Sequence, residues 1–438
     1  MISIRFCISI FIVSLLLLSQ PLASQEKKED EQDKDVPEEQ IPVEERDTGD
    51  SFIENLGELP GKIVTLPLTL FFKGVSKASS VVDYNAIVLR VTDVLTNEDG
   101  TRKVRPIFTP LSGGGLIFVQ RNFLKPGMSF RTSASGGIRT RANFYGSLRD
   151  PQLFSARLGL HVEGLYQRLP DDDFFGIGND SRRANETNYL HEETYFMTEL
   201  LAKPVRNVIF SAGLSYSDVN IQRGRDPNKP SLQDSADVFF DDPIPGLFGV
   251  RMGTFLFRLY RDTRDVTGNP NRGSETYLTY EYARELGGSE FGYSKYTLDW
   301  KGYLELFYRR VIALRLHGEI TDNIGTREIL FYRLGGLGGT DVFRGYRPTR
   351  FRDKDLVVAG AEYRYPIHGV IDMIFFFEEG RVFGDIFDQF TFKGFKRAFG
   401  GGLRLRKFDG NLVAVFEIAK SDEQLRLNFS LNKGLRRF

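Results

Sequence analysis

Residues 423–438 read EQLRLNFSLNKGLRRF, and this stretch decides the fold of the chain. Leu425, Leu427, Phe429 and Leu431 alternate with polar residues. A period of two is typical of a β-strand with one apolar and one polar face. The same pattern recurs from about residue 104 onward. It predicts a closed barrel whose outer face contacts lipid and whose inner face contacts water.

The composition suits a protein built from strands and turns. The 438 residues include 44 glycines, 38 phenylalanines and 18 tyrosines, but one tryptophan. Soluble β-proteins can share this composition, so the alternation is the stronger indication. The net charge of zero conceals an uneven distribution. Residues 25–50 hold twelve acidic and four basic residues, a net charge of −8, so the remainder of the chain carries +8.

The first 24 residues are predicted to be a signal peptide. Arg5 precedes an apolar run at residues 8–18, and charged residues begin at Glu26. The alternative is an N-terminal membrane anchor, which requires about 20 apolar residues, more than this run offers. Cys7 is the only cysteine and lies before the apolar run. The mature protein is therefore expected to have no disulfide and no thiolate metal site.

Two different segments precede the strands. Residues 25–50 form an acidic leader that is expected to be disordered, because few apolar residues interrupt its charges. Residues 51–103 show the spacing of short amphipathic helices, interrupted at Pro60 and Pro67. These helices could lie on the membrane surface, form a packing collar at the barrel mouth or plug the lumen. The sequence leaves that choice open, and the collar is the simplest of the three.

The strand pattern predicts an all-β fold, a 16-stranded antiparallel transmembrane β-barrel over residues 104–438. An even number of strands returns both termini to one side, expected to be periplasmic. Short inner turns then alternate with long outer loops, as in outer-membrane barrels. The predicted strands are 104–110, 113–123, 128–138, 139–149, 153–166, 190–202, 206–218, 247–261, 274–286, 292–304, 308–320, 354–365, 370–383, 395–407, 411–420 and 423–434.

The long connection at residues 321–354 contains the most informative motif. A glycine-rich stretch leads into the tetrapeptide Phe343, Arg344, Gly345 and Tyr346. An arginine in a loop of this length is weak evidence by itself. The motif gains meaning from a second one further along the chain.

The second motif lies on the next-but-one strand, at Phe376, Glu378 and Gly380. These three residues share one strand face, whereas Phe375 and Phe377 occupy the other. A charge facing lipid would cost on the order of 2 to 4 kcal/mol at the membrane midplane. Glu378 is therefore expected to point into the lumen.

With these motifs the chain resembles the BamA-type barrels of outer-membrane assembly and two-partner secretion, the bacterial surface antigen superfamily. Members carry V-R-G-F/Y in a long sixth outer loop folded into the lumen, and F-x-D-x-G on a nearby strand. Here Phe343 and Glu378 replace the valine and the aspartate. The resemblance implies a luminal ion pair between Arg344 and Glu378. Residues 174–180 (FFGIGND) and 262–273 (DTRDVTGNPNRG) extend the likeness.

Two departures restrict what the resemblance implies. Family members normally carry periplasmic POTRA modules, which bind client chains by strand addition. Residues 51–103 are too short and too broken by proline for one such module, so the chain resembles a member that lacks them. Leu427, Phe429 and Leu431 fit a C-terminal barrel-assembly signal. Phe438 is out of phase with them, so that fit is partial.

The resemblance implies a bacterial outer-membrane barrel that assists protein insertion or translocation through a lateral seam. A partner protein would supply the missing periplasmic modules. Pro106 lies in the short first strand, which would make a weak partner at that seam. The alternatives are a passive pore, a lipid-handling barrel or a structural surface antigen. The expected partners are outer-membrane lipids including lipopolysaccharide and periplasmic or outer-membrane proteins, but not nucleic acid.

No motif indicates an enzyme, a cofactor or a bound metal. Residues 171–173 are three adjacent aspartates that could bind calcium, but such a run is more often simply solvated. The basic residues Arg344, Arg347, Arg350 and Arg352 could bind lipopolysaccharide or nucleic acid, and luminal ion pairing is the preferred interpretation. The histidines are scattered over separate segments at His161, His191, His317 and His368.

Overall fold

The computed structural model describes residues 97, 99–109, 113–137, 140–155, 157–240, 243–307, 309–406 and 412–431. Within these residues, sixteen strands form one antiparallel sheet in which each strand pairs with the next sheet strand along the chain. The expected 16-stranded antiparallel architecture is therefore confirmed. The signal peptide (1–24), the leader (25–50), most of the helical segment (51–103) and Phe438 fall outside the described residues.

A separate two-stranded sheet lies within one long connection of the main sheet, between Asn323 and Asp355. All strands, in chain order, are β1 (Arg102–Thr109), β2 (Gly113–Arg121), β3 (Ser129–Gly136), β4 (Ala142–Ser155), β5 (Leu158–Phe174), β6 (Thr187–Val205), β7 (Val208–Arg223), β8 (Arg251–Asp262), β9 (Gly273–Glu285), β10 (Gly292–Phe307), β11 (Arg310–Asn323), β12 (Gly335–Leu337), β13 (Phe351–Asp353), β14 (Asp355–His368), β15 (Ile371–Phe383), β16 (Lys396–Arg406), β17 (Leu412–Ser421) and β18 (Leu425–Leu431).

Two short α-helices lie in the connections: α1 (Leu232–Phe239) between β7 and β8, and α2 (Ile386–Gln389) between β15 and β16. Single 3₁₀ turns occur at Arg183–Asn185 and Phe331–Arg333. The strand pattern did not predict α1, whose Leu232 is fully buried in a cluster with Tyr189 of β6 and Val219 and Ile221 of β7. In the part of the chain that the structure describes, no helix is long and apolar enough to cross a bilayer.

One predicted turn was wrong. The predicted strands 139–149 and 153–166 place a short turn at residues 149–152, but β4 continues to Ser155 with a register shift between Asp150 and Ser155. The Asp150 carboxylate accepts a hydrogen bond from the Gln152 backbone amide at 3.0 Å. Aspartate before proline is typical of turns, because its side chain bonds the backbone two residues on. Here the same chemistry produces a bulge instead of a reversal.

Several strands extend further than predicted. β5 was expected to end at residue 166 and β6 to begin at residue 190, but the two pair as far as Phe174 opposite Thr187. Apolar alternation reports contact with lipid, whereas backbone pairing continues through polar residues beyond the membrane. The sequence pattern therefore predicted the extent of the apolar band and underestimated the length of the strands.

The sheet has one apolar and one charged face, with the charged face inward. Leu214 and Leu427 are 57% and 67% exposed, whereas Glu199 and Glu378 are 1% and 3% exposed. This distribution is the reverse of that in a soluble protein, where charged side chains are rarely buried. The exposed apolar residues on the strands include Leu116, Phe144, Phe196, Leu200, Phe210, Phe255, Phe257, Leu304, Leu314, Phe377, Phe399, Phe416 and Phe429.

The connections sort onto the two ends of the barrel by length. One end, which we call the short-turn end, has the turn at residues 206–207 between β6 and β7. The other, the long-loop end, carries the connections at 175–186, 224–250, 324–354 and 384–395. β1 begins and β18 ends at the short-turn end.

β1 and β18 are the two edges of the sheet. Their Cα atoms come within 8 Å of each other. Among the described residues, however, no ladder of backbone hydrogen bonds joins them, and β1 pairs only with β2 and β18 only with β17. We call this junction between β1 and β18 the seam.

Leu214→Arg tests the orientation of the outward face. Leu214 lies in the middle of the apolar part of β7, so this variant should lower the free energy of unfolding in phospholipid vesicles by about 2 to 4 kcal/mol. Val205→Arg is the matched control, because Val205 is exposed at the end of β6 and a charge there should cost only about 0 to 1 kcal/mol. Equal costs measured by denaturant titration would contradict the assigned face.

Candidate functional site

The segment between β12 and β13, residues 338–350, forms the luminal loop. Gly338 and Gly339 have φ angles of 134° and 89°, a region that favours glycine. A Cβ on Gly338 would lie 2.0 Å from the carbonyl oxygen of Arg347. The Gly339 amide donates to the Tyr346 carbonyl at 3.1 Å and closes the loop. The glycine-rich stretch seen in the sequence is thus needed for a tight turn.

Arg344 at the tip of this loop connects three strands of the wall. Its Nε lies 2.7 Å from Glu378 Oε1 on β15. Its Nη1 lies 2.8 Å from Glu362 Oε2 on β14 and 3.1 Å from Glu417 Oε1 on β17. The Arg344 backbone amide also donates to Glu378 Oε2 at 2.9 Å. Charge-assisted bonds to a planar guanidinium have well-defined geometry, so they hold the loop in a specific position.

The two other positions of the strand motif also meet the loop. The guanidinium carbon of Arg344 lies 3.6 Å from the centre of the Phe376 ring, a cation–π contact. A Cβ on Gly380 would lie 2.7 Å from Leu337 Cδ1, so glycine leaves room for β12. Phe376, Glu378 and Gly380 therefore supply an aromatic face, a charge and free space.

An apolar core accompanies the ionic contacts. The rings of Phe343 and Tyr346 are fully buried and stack with centroids 5.1 Å apart. The Tyr346 hydroxyl donates to Asp422, and both burial and this carboxylate raise the pKa of the phenol. Gly345 packs on the wall, because a Cβ there would lie 2.8 Å from Ala398 Cβ. All four residues of the tetrapeptide thus contact the barrel.

The charges around Arg344 compensate one another. Glu362 also bonds Arg364 at 2.9 Å and Arg404 at 3.1 Å, so three arginines face the three glutamates. Burial alone would lower the pKa of the Arg344 guanidinium, but the glutamates outweigh it and raise the pKa above its ordinary value. A buried ion pair costs desolvation energy, and removing one partner leaves an uncompensated charge. We call these six residues the luminal charge cluster.

The turn between β8 and β9 reaches the same cluster from the short-turn end. The Arg364 Nη1 atom donates to the Pro270 carbonyl at 3.1 Å, and Pro270 is buried. Arg264 of the same turn pairs with Asp262 at 2.8 Å and Glu275 at 2.9 Å. The motif at residues 262–273 therefore folds towards the lumen. Glu362 is held from both ends of the barrel.

The motif at 174–180 holds the luminal loop and the adjoining strand β13 from the long-loop end. The Gly178 amide donates to the Arg352 carbonyl at 2.7 Å. The Arg350 guanidinium lies 4.6 Å from the centre of the Phe175 ring and 2.7 Å from Glu423 Oε1. Basic residues of the loop are thus engaged with the protein itself.

The strand-face argument that singled out Glu378 could also have found Glu362 and Glu417. Glu417 lies between Phe416 and Ile418, which are exposed on the outer face. A lone acidic residue between outward apolar residues must point inward. The sequence could not show that both carboxylates converge on Arg344, because that contact joins distant strands.

The other candidate residues lie elsewhere. Leu427 and Phe429 face outward on β18, and Leu431 ends that strand. The aspartates at 171–173 each have a protein partner: Arg141, the Tyr189 hydroxyl and Lys229. Among the described residues, no three potential ligands are grouped to hold a metal.

A cavity of about 680 Å³ lies below the luminal loop within the barrel. Eight basic and five acidic residues line it, drawn from the luminal loop, the β8–β9 turn and strands from β4 to β17. The sheet therefore curves around one charged interior, and the loop occupies part of it.

A barrel of this strand number, with a long loop held in its lumen by a buried arginine, defines a class of outer-membrane assembly and secretion proteins. The chain belongs to the Omp85 superfamily, whose domain model matches residues 122–436. It is accordingly a bacterial outer-membrane protein. The described residues contain no POTRA-like module. Members of the family are transporters or insertases rather than enzymes.

Several solved structures resemble the chain at low sequence identity. BamA from Haemophilus ducreyi lacking POTRA domains 1–3 is 18% identical, with a TM-score of 0.53 over 75% of this chain and 69% of that chain. CdiB from Escherichia coli is 10% identical (TM-score 0.46, 74% of this chain, 59% of that chain). CdiB from Acinetobacter baumannii is 11% identical (TM-score 0.44, 76% and 56%). No curated protein matches the chain.

Arg344→Ala should lower the free energy of unfolding by about 3 to 5 kcal/mol, because it leaves buried carboxylates without their cation. The charge swap Arg344→Glu with Glu378→Arg should recover only part of the stability that Arg344→Glu loses. Glu362 and Glu417 would still repel the new glutamate. Denaturant titration of the wild type, Arg344→Ala, Arg344→Glu and the swap measures these free energies of unfolding. Restoration of wild-type stability by the swap would show that Glu378 is the only important partner.

Gly345→Ala should unseat the luminal loop, since the added methyl group would overlap Ala398. Ala398→Gly removes the methyl group that it meets, so the double variant should recover part of the lost stability. Limited trypsin cleavage within residues 344–352 reports seating of the loop. Cleavage of the double variant as fast as that of Gly345→Ala would contradict the proposed packing.

Proposed function

We propose that this chain assists the insertion or translocation of polypeptides in the outer membrane through the seam between β1 and β18. A partner protein would supply the periplasmic modules that bind client chains. Membership of the Omp85 superfamily supports an assembly or secretion role. The seam is the structural observation that supports this mechanism.

The seam differs from every other junction of the sheet. β17 and β18 pair from Ala414 opposite Leu431 to Lys420 opposite Leu425, but no comparable ladder joins β18 to β1 among the described residues. Pro106 in β1 has no amide hydrogen to donate. An edge strand with unpaired backbone groups is a template for another strand. A client strand could therefore add to this edge.

The luminal loop supports one side of the seam. Arg426 on β18 donates to the Tyr346 carbonyl at 2.8 Å, and the Thr340 hydroxyl donates to Asn428 Oδ1 at 3.2 Å. Asn428 also donates to the Arg344 carbonyl at 3.4 Å. These bonds hold β18 although it has one ladder partner. We infer that Arg344, with Phe343, Gly345 and Tyr346, fixes the β18 edge while β1 moves when the seam opens.

The proposed orientation places the short turns and both termini in the periplasm. Short periplasmic turns and long outer loops are the rule for outer-membrane barrels. In this arrangement residues 1–24 direct export, and residues 25–50 form a periplasmic leader. The predicted helical segment, from residue 51 up to the start of β1 at Arg102, forms a collar at the barrel mouth. Leu427, Phe429, Leu431 and Phe438 then present the C-terminal strand to the assembly machinery. Outer-membrane lipids, including lipopolysaccharide, surround the wall.

Locking the seam tests the mechanism. We expect a cysteine at Val104, paired in turn with single cysteines at positions 425–431, to form a disulfide in at least one pair, because bridged Cα atoms lie about 4.4 to 6.8 Å apart. Oxidation should then abolish the function and reduction should restore it. The readout is the amount of other outer-membrane proteins after depletion of the natural protein and complementation with each variant. Cys7 falls in the predicted signal peptide and does not interfere.

Each single-cysteine variant serves as the control and should complement under both conditions. Full activity of the locked barrel would exclude the seam as the route. Unchanged levels of every other outer-membrane protein on depletion would exclude the assembly role itself. A passive pore would instead give steady bilayer conductance that the lock does not alter.

A further inference from the structure

The connection between β15 and β16 carries an aromatic cluster that the proposed function does not use. Phe390 lies at its centre, with ring centroids 6.2 Å from Phe383, 5.2 Å from Phe392 and 6.4 Å from Phe395. Phe392 is 88% exposed and Phe390 46% exposed. A contiguous exposed apolar patch on a loop marks an interaction surface.

The loop that presents these rings is held in place. Arg381 Nη1 donates to the Lys393 carbonyl at 2.6 Å and to the Thr391 carbonyl at 3.2 Å. Its guanidinium also lies 4.6 Å from the centre of the Phe383 ring. From the neighbouring loop, Asn179 donates to the Gly394 carbonyl at 3.0 Å. The rings are therefore preorganised, which reduces the entropy lost on binding.

The cluster faces away from the lumen. Phe383 lies on the same alternating face of β15 as Phe377, which is exposed on the outer wall. Glu378 and Val382 occupy the opposite, luminal face. Phe383 is nevertheless only 1% exposed, because the rings of Phe390 and Phe395 cover it. The loop thus folds over the outer side of the barrel rim.

The height of the cluster above the apolar wall indicates which kind of lipid headgroup can reach it. Phe377 is opposite Phe399, and the next outward pair, Glu379 and Arg397, forms an ion pair of 2.7 Å that marks the end of the apolar wall. Phe383 is four residues further, about 10 Å higher for a strand tilted by about 40°. Phospholipid headgroups add only about 5 to 8 Å on each side of the hydrocarbon. A headgroup of several sugars reaches the cluster.

We propose that this aromatic cluster binds the phosphorylated core oligosaccharide of lipopolysaccharide in the outer leaflet. Sugar rings present C–H groups that lie against the negative faces of aromatic rings. Lys393 is exposed on the same connection and provides a positive charge for the phosphates. The site continues the lipid-facing wall of β15 and β16 upward. The inference rests on the proposed orientation of the long-loop end and not on the insertion role.

Binding of purified lipopolysaccharide to the intact barrel in detergent tests the proposal. Phe390→Ser with Phe392→Ser should weaken binding roughly tenfold or more, because two exposed rings are lost from the contact. Phe248→Ser is the matched control, since Phe248 is 75% exposed on the connection between β7 and β8. Native mass spectrometry over a range of lipid concentrations gives the affinities. Heat-modified gel mobility verifies that each variant is folded.

Three lipids distinguish the sources of binding. Core-bearing lipopolysaccharide should bind the wild-type barrel at least tenfold more tightly than lipid A without its core sugars or than phosphatidylglycerol. Equal affinity for lipid A would overturn the assignment of the sugars. Unchanged lipopolysaccharide affinity in the double variant, or an equal loss in Phe248→Ser, would overturn the assignment of the loop. Each readout uses purified barrel, so failure here is separable from failure of the insertion role.

Discussion

The structure depends on one buried guanidinium shared among three carboxylates. Arg344 is bonded to Glu362, Glu378 and Glu417, which lie on three strands of the wall. An arginine taken out of water is tolerated only where such partners surround it. The luminal loop, the glycines that let it approach and the aromatic rings that pack beside it all follow from that requirement.

The sequence predicted the fold well because a membrane barrel repeats one simple rule. Lipid outside and water inside impose a period of two on every strand, so the sixteen strands and the inward direction of Glu378 were visible without any structure. The turn at Asp150 was misplaced because turn residues also produce bulges. Helix α1 was missed because it lies in a connection where no alternation operates.

The site was predicted only in part for a different reason. Arg344 and Glu378 were predicted from motifs that resemble those of a family. The alternation of side chains along the strand placed the glutamate in the lumen. Glu362, Glu417 and Arg404 belong to strands that are separate in sequence, and only the curvature of the sheet brings them together. The contact between Arg364 and the Pro270 carbonyl likewise depends on how far a turn bends inward. Such meetings follow from tertiary geometry rather than local pattern.

Glu362 connects the two ends of the barrel through its hydrogen bonds. One of its oxygens serves Arg344 from the long-loop end, and the other serves Arg404 and Arg364, which binds the β8–β9 turn. A carboxylate has one negative charge to divide among its partners. If the turn moves away and the Arg364 side chain moves with it, Glu362 interacts more strongly with Arg344 and Arg404. A disturbance at the short-turn end thereby strengthens the bonds that hold the luminal loop.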